Sequence, residues 1–438
     1  MGFLDLILKK KDGQSLSPEE ISYMIQEFNN GNIPDYQMAA MLMAICFQGL
    51  NARETNALTA ALAESGEVLD FDFNDKIVVD KHSSGGVGDK ITLVLAPLVA
   101  AAGVPVAKIS GRGLGFTGGT IDKLESIPGF KADLSIKQFK ELVEKKYLAI
   151  MAQTESLTPA EGKLYALRDV TGTVENMSLI AASIMSKKIA GGAGAILLDV
   201  KAGRGAFMKN KEAAFHLAEI MFRIGKDMGR RVVSVVTDMS QPLGFAVGNA
   251  LEVKEAVNVL EGKGPGDVRK LTLILGGHML AMAGKVRNIE EGEAELAKLI
   301  NNGMALEKFK EMVIAQGGNP EFIKNPSLFV QAKYIKKIVA ARTGYLREID
   351  ARRVGKTAKL LGAGRTYKTE KIDPAAGVVL NYKVNDYIVQ GDILAFLHTN
   401  REDILEEACK EINNAFAIGE EKAETTPLVY GVVPPFPA

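Results

Sequence analysis

Residues Lys76 to Thr120 read KIVVDKHSSGGVGDKITLVLAPLVAAAGVPVAKISGRGLGFTGGT. A short apolar run, KIVVD (76–80), leads into a glycine-rich loop. The helical ITLVLAPLVAAAG follows, then a second apolar run, VPVAKIS (104–110), and a second glycine-rich loop. Strand, helix, strand, with glycines at each strand's carboxyl end, describes one βαβ unit. YLAIMAQ, AILLDVK (195–201) and RRVVSVVTDM (230–239) continue the alternation, each separated by helical runs. The expected fold class is therefore α/β, a mostly parallel sheet with helices on both faces.

On the N-terminal side, Ser17-Pro18-Glu19-Glu20 forms a capping box with proline at the first helical position, and DYQMAAMLMAICF and ARETNALTAALAESG keep a helical period. The first ~65 residues predict a small all-helical unit. TPAEGKLYALRDV and NMSLIAASIMSKKIAGG lie between the third and fourth strands with no strand separating them, so they are expected to return to those helices. Beyond about 330 the character changes. AGVVLNYKVNDYIVQGDILAFLHTN (Ala376 to Asn400) is valine-rich and punctuated by turns, suiting a β-rich subdomain of the barrel-sandwich kind. The expected division is a discontinuous helical domain (1–65 with 156–193), an α/β domain (70–155 with 194–330) and a C-terminal α+β subdomain (331–438).

Composition sets limits. A chain of 438 residues, 47% hydrophobic and 24% charged, predicts two or three globular domains. Lys+Arg and Asp+Glu are 53 each, which argues against general nucleic-acid or membrane-surface binding. Cys46 and Cys409 stand too far apart in sequence to suggest a disulfide framework or a CxxC metal site. The N-terminus lacks the charge order of a signal peptide, and the longest apolar stretch is broken by prolines and a glycine. A cytoplasmic protein is expected.

Three glycine-rich loops, KHSSGGVGDK, SGRGLGFTGGT and KAGRGAF, follow predicted strands and should share one rim of the sheet. Tight turns alone would need the glycines but not the interleaved Lys81, Lys90, Lys108, Ser83, Ser84, Ser110 and Thr120. Those residues, with helix N-termini beside them, suit an oxyanion. The first loop is not a Walker loop, because Asp89 separates Gly88 from Lys90. Gly113, Gly115 and Gly118 satisfy G-x-G-x-x-G, yet no second strand with a ribose-binding acid follows. Tyr165 and Arg168 share one helix face, and Ser183 and Lys187 another. The second pair sits among Ile180, Ala181, Ile184, Met185 and Ile189, where a polar pair needs a partner or ligand. Of four histidines, His82 alone lies in the anion loop and is a candidate for substrate contact or proton transfer; His216 and His278 fall in amphipathic helices, and His398 ends a strand.

DKHSSGGVGDK, SGRGLGFTGGTIDKLESIPGF (Ser110 to Phe130), LTPAEGKLYALRDVT, SIMSKKIA and SQPLGFAVGNALEVKEA (Ser240 to Ala256) together resemble the thymidine and pyrimidine-nucleoside phosphorylase family over essentially the whole chain. The resemblance implies a glycosyltransferase acting on the N-glycosidic bond of uridine, thymidine or 2′-deoxyuridine with inorganic phosphate as co-substrate and no organic cofactor. It implies phosphate binding by Lys81, His82, Ser83, Thr92, Lys108, Ser110 and Thr120, and pyrimidine binding by Arg168, Ser183 and Lys187. His82, Arg168 and Lys187 would be catalytic, with His82 near the base carbonyl. A homodimer through the N-terminal helices is implied, as is closure of the helical domain on the α/β domain with hinges near 65 to 75 and around 155 and 193. It also implies a potassium ion among the carbonyls of Gly88, Lys90, Leu243 and Ala246 and the carboxylate of Glu255, here with a lysine side chain at 90 beside it. Phe116 replaces a histidine common among relatives. Lys108 is the choice of the broad-specificity enzymes, where thymidine-specific ones tend to carry an apolar residue. The alternatives are a thymidine-specific enzyme, a phosphoribosyltransferase of the same fold, for which the KHSSGG loop lacks acids, and a carrier module.

Overall fold

In the computed structural model, which describes residues 2–434 apart from 74, 114, 115, 117, 155 and 366–369, the chain opens with four helices. They are α1 (Phe3–Lys11), α2 (Pro18–Asn29), α3 (Asp35–Gln48) and α4 (Ala52–Ala63). The box before α2 forms as the sequence predicts: the Glu20 N–H donates to Ser17 Oγ at 3.2 Å and the Ser17 N–H to Glu20 Oε2 at 2.7 Å. Asn51 and Glu54 build a second box, and Glu54 Oε1 also accepts from the buried Lys10 ammonium (2.8 Å) and the Leu16 N–H (2.9 Å). One carboxylate thus caps α4 and pins α1 to it.

The chain then alternates through β1 (Val79–Ser83), α5 (Ile91–Ala101), β2 (Val106–Ser110), α6 (Thr120–Leu124), α7 (Ile136–Lys146) and β3 (Leu148–Ala152). Two helices, α8 (Pro159–Thr171) and α9 (Met177–Ala190), precede β4 (Ala195–Ala202), α10 (Lys211–Asp227) and β5 (Arg231–Asp238). The strands lie in the order β3, β2, β1, β4, β5, all parallel. Because the sheet is covered on both faces, β3 is apolar throughout and β4 opens with four apolar residues, whereas β1 is polar at every position after Val79. Val79, Val106, Ala195 and Leu197 pack beneath α5, whereas Ile196, Leu198 and Val200 pack with α9 and α10. The chain leaves β1 toward β2 on one side and later enters β4 on the other, so β1 and β4 flank the topological switch where open α/β sheets bind ligands.

Helix α9 has two partners. Leu179 and Ala182 join Leu58, Leu62, Ala160 and Leu164 in the helical core, while Met185 and Ile189 pack with β4 and α10. Segments 66–69, 156 and 190–192 meet: the Glu67 N–H donates to the Ser156 carbonyl (2.9 Å) and the Leu69 N–H to the Ala190 carbonyl (2.7 Å). These are the expected hinge segments, except that residue 155 lies outside the described residues, as does Gly115 of the glycine pattern.

The C-terminal strands are β7 (Tyr334–Val339), β8 (Gly344–Ile349), β9 (Gly377–Leu380), β10 (Tyr387–Ile388), β11 (Ile393–Thr399), β12 (Phe416–Gly419) and β13 (Val429–Val433). They form antiparallel sheets, but the expected boundary at 331 is crossed twice. A short strand inside the α/β part, β6 (Ala246–Gly248), pairs with β9, and β13 returns to pair antiparallel with β5. Backbone pairing decides both, covering the open edge of the main sheet and supplying an edge to the small one.

Glu54→Ala removes the only ion-pair partner recorded for Lys10 among the described residues and leaves its ammonium buried. The expected loss is about 3–5 kcal/mol, read from the denaturant midpoint, and adding Lys10→Met should return part of it.

Candidate active site

Strand β1 carries Asp80, Lys81, His82 and Ser83 in succession, and the two-residue period turns Lys81 and Ser83 to the α5 face and Asp80 and His82 to the α9 face. On the first face, Lys81 Nζ lies 3.0 Å from Asp199 Oδ2 and 3.8 Å from Asp89 Oδ2. Ser83 Oγ donates to Asp89 Oδ2 at 2.5 Å, and Lys201 Nζ lies 2.8 Å from Asp199 Oδ2. The pairing of Val79 with Val106 sets Lys108 level with Lys81. Lys81, Thr92 and Lys108 line one small cavity with Leu95, Ala96, Val106 and Met279. On the second face, Lys188 of α9 donates to Asp80 Oδ2 (2.7 Å) and to the Ile109 carbonyl (2.9 Å), while Lys108 Nζ lies 3.6 Å from Asp80 Oδ1.

Four buried ammonium groups thus share three aspartates, leaving the cluster short of negative charge. Burial works against the Lys81 ammonium, but Asp199 and Asp89 outweigh it and hold its pKa above the ordinary value. Lys108 has the opposite balance. Burial, aided by Lys188 and Lys81, wins over Asp80 and pushes Lys108 down to about 7. His82 is pushed well below its usual value by burial and by Lys188, Lys108, Lys187 and Lys81, so its imidazole is neutral around pH 7. A neutral imidazole can donate one hydrogen bond; it cannot deliver the second proton of an imidazolium.

Ser183 and Lys187 come together as expected, around a residue that the sequence reading missed. Ser183 Oγ donates to Glu161 Oε1, Lys187 Nζ lies 2.9 Å from the same oxygen, and Lys187 donates to Ser183 Oγ at 3.1 Å. Glu161 lies four and seven residues before Tyr165 and Arg168, on the same helix face, which was the signal available. Arg168, expected to contact the pyrimidine, also has a role within the protein. It is buried, and three of its five N–H donors go to the carbonyls of Thr173, Val174 and Leu179, holding the turn between α8 and α9. Lys188, Asp199 and Lys201 were also missed; an Asp and a Lys in the otherwise apolar AILLDVK were the visible hint. Ser110 closes β2 and Thr120 opens α6, both half-buried at the same rim. Phe116 packs against Phe207 of the loop after β4 (centroids 6.3 Å apart) and under the Arg352 guanidinium at 5.6 Å.

Residues 4–66 match the helical bundle domain of a glycosyl transferase family, 75–306 its a/b domain, and 345–419 the pyrimidine nucleoside phosphorylase C-terminal domain. The pyrimidine-nucleoside phosphorylase of Geobacillus stearothermophilus is 50% identical over 98% of this chain and 99% of its own, and that of Bacillus subtilis 51% over 97% and 98%. The chain belongs to the pyrimidine-nucleoside phosphorylase family. Its fold is shared with anthranilate phosphoribosyltransferase of Thermus thermophilus, at a TM-score of 0.58 and 20% identity over 71% of this chain and 98% of that one.

The potassium ion implied by resemblance to this phosphorylase family does not fit the residues present. Lys90 Nζ itself donates to the Leu243 carbonyl (2.8 Å), the Ala246 carbonyl (2.9 Å) and Glu255 Oε2 (2.5 Å). The Gly88 carbonyl accepts the Lys90 backbone N–H at 2.9 Å. The expected ligand set surrounds an ammonium, and an ion placed among the same oxygens would collide with it.

With only four histidines in the chain, His82 can be assigned by comparing imidazole C–H resonances with those of a His82→Asn variant. Its resonance should not titrate between about pH 6 and 8, where an unperturbed histidine would.

Proposed function

We propose that this protein catalyses the reversible phosphorolysis of pyrimidine nucleosides, uridine, thymidine and 2′-deoxyuridine among them, giving the free base and a pentose 1-phosphate. One observation carries the assignment of the site. Adjacent residues on α9 face different partners: Lys188 reaches Asp80 in the lysine-rich strand ends, and Lys187 reaches Glu161 of α8. His82 feels the charges of both sets.

In this reading Lys81, Ser83, Thr92, Lys108, Ser110 and Thr120 hold phosphate, and Arg168, Ser183 and Lys187 hold the pyrimidine. A phosphate oxygen forms the bond to C1′ while the bond from C1′ to the ring nitrogen breaks, its electron pair leaving with the base. Lys187 and the remaining Arg168 donors stabilise the departing anion more than the neutral nucleoside, and the lysines align a weak nucleophile. His82 supports the base carbonyl as a neutral hydrogen-bond donor, a narrower role than proton transfer. Glu161 holds Lys187 and Ser183 in their working orientation, and closure about the 66–69, 156 and 190–192 segments brings the two substrates together.

A phosphoribosyltransferase reading needs free carboxylates for magnesium and pyrophosphate; Asp80, Asp89 and Asp199 each already face lysines. We further infer a homodimer through the N-terminal helices. Leu4 and Leu8 on α1 are exposed, as are Tyr36, Met43 and Phe47 on α3, the outermost two at 75% and 82%. Their spacing places the α3 residues on one stripe. Two free thiols fit a reducing cytoplasm, and no helix among the described residues is long and apolar enough to cross a membrane.

Incubation with uridine or thymidine should release free base only when phosphate is present, as seen by chromatography; release without phosphate would instead mean hydrolysis. Phosphate binding should also take up a proton near pH 8. Free Lys108, with its pKa near 7, is mostly neutral there, and the bound dianion favours its charged form. Calorimetry in buffers of different ionisation enthalpy should show this uptake, and Lys108→Met should abolish it. Above about pH 8, where free phosphate is already the dianion and Lys108 is losing its proton, phosphate affinity should weaken as pH rises.

A further inference from the structure

Lys90 ends the loop after β1 and sits at the start of α5, fully buried. An ammonium has three hydrogens, and those of Lys90 meet three acceptors: the carbonyls of Leu243 and Ala246 and the carboxylate of Glu255. The acceptors are arranged by the chain itself. Glu255 also accepts the N–H groups of Phe245 and Ala246, so residues 243–246 wrap the ammonium. The wrap is tight: at Gly244 (φ +69°) a Cβ would lie 2.8 Å from Lys90 Nζ, and at Gly88 (φ +71°) 2.6 Å from the Leu243 carbonyl oxygen. A second ammonium holds the outside of the same segment. Lys383 Nζ donates to the carbonyls of Pro242 (2.6 Å) and Gly244 (2.8 Å) and pairs with Asp267 at 2.8 Å. Burial works against the Lys90 charge, yet Glu255 and Glu252 outweigh it and raise its pKa.

We propose that Lys90 is a tethered replacement for a monovalent cation: its side chain occupies the position a dissolved potassium ion would take and makes assembly of the phosphate loop independent of such ions. An ammonium group and a potassium ion are similar in size and take the same oxygen ligands, but the lysine is already attached, so no free ion has to be immobilised. The consequence for the site passes through Asp89, its neighbour. Anchoring Lys90 to 243–246 fixes the backbone from which Asp89 holds Ser83 at 2.5 Å and faces Lys81. Lys90 is thus a positioning residue. Its effect on phosphate affinity rests on the phosphorylase reading, whereas its exclusion of ions does not.

The test compares thermal midpoints and phosphate affinity of the full chain in potassium, sodium and tetramethylammonium chloride at equal ionic strength. The unsubstituted protein should give the same values in all three. Lys90→Ala leaves Glu255 and two carbonyls buried without a cation. Its midpoint should fall and its phosphate affinity drop by about tenfold or more, and potassium, but not tetramethylammonium, should restore both saturably. Lys90→Met, which fills the space without charge, should fall and not recover. A loss in Lys90→Ala that no ion restores would reduce Lys90 to packing and overturn the proposal. So would a saturable potassium response of the unsubstituted protein. Should the alanine variant fail to fold, thallium(I) soaked into crystals of the unsubstituted protein decides. No anomalous peak between the Leu243 and Ala246 carbonyls supports the proposal, and a peak there overturns it. An enzyme that failed to use nucleosides would still give these ion responses, so the two readings fail separately.

Discussion

Burying Lys81, Lys108, Lys188 and Lys201 against Asp80, Asp89 and Asp199 is the constraint on which the rest of this structure depends. A buried ammonium is tolerated only with a partner in good geometry, and removing a partner costs far more than a surface pair would. These pairs therefore demand that β1, β2 and β4 be adjacent, parallel and in one register. With one more cation than anion, the cluster has an uneven charge balance. Burial, aided by the neighbouring lysines, brings the Lys108 pKa down to about 7, while Asp199 and Asp89 hold that of Lys81 above its ordinary value.

Helix α9 carries that charge pattern into the second domain. Its apolar residues divide between the helical core and the sheet, and its two consecutive lysines divide in the same way. A helix with partners on both sides has no solvated face, which is why NMSLIAASIMSKKIA shows weak amphipathicity in sequence. His82 stands where the two fields overlap, and burial together with those charges keeps it neutral.

The C-terminal region supplies none of the proposed substrate contacts, yet it shapes the rim. Lys383 holds the 242–244 carbonyls, Arg365 pairs with Asp122 at 2.8 Å, and Arg352 lies over Phe116. Asp122 in turn accepts the Gly113 N–H at 2.6 Å. With β6 and β13 exchanged across the boundary, this region is woven into the α/β domain through its backbone as well as its charges.

Period, capping and loop chemistry were legible in the sequence. The five parallel strands, the Ser17 box, the two helices between 159 and 190 and the glycine loops are local patterns, set by which residues recur at which spacing. But β1 spans Val79–Ser83 and not 76–80, so Lys81, His82 and Ser83 lie in the strand and not in the loop where they were expected. The resemblance carried by SGRGLGFTGGT and its companions pointed to the family. Partners distant in the chain were not legible. The resemblance set the Lys90 side chain beside a cation site, but nothing near Lys90 in sequence says that its ammonium will itself end among the oxygens of residues 243 and 246, 153 and 156 positions away. Likewise nothing near Arg168 assigns its donors to the next turn, and Glu161 gains its meaning only when α9 lies beside α8. Local spacing determined the elements and the residue types at the sheet's rim. The tertiary structure decided which charges neutralise which, because a buried charge takes its partner from whatever the packed chain brings within a few ångströms.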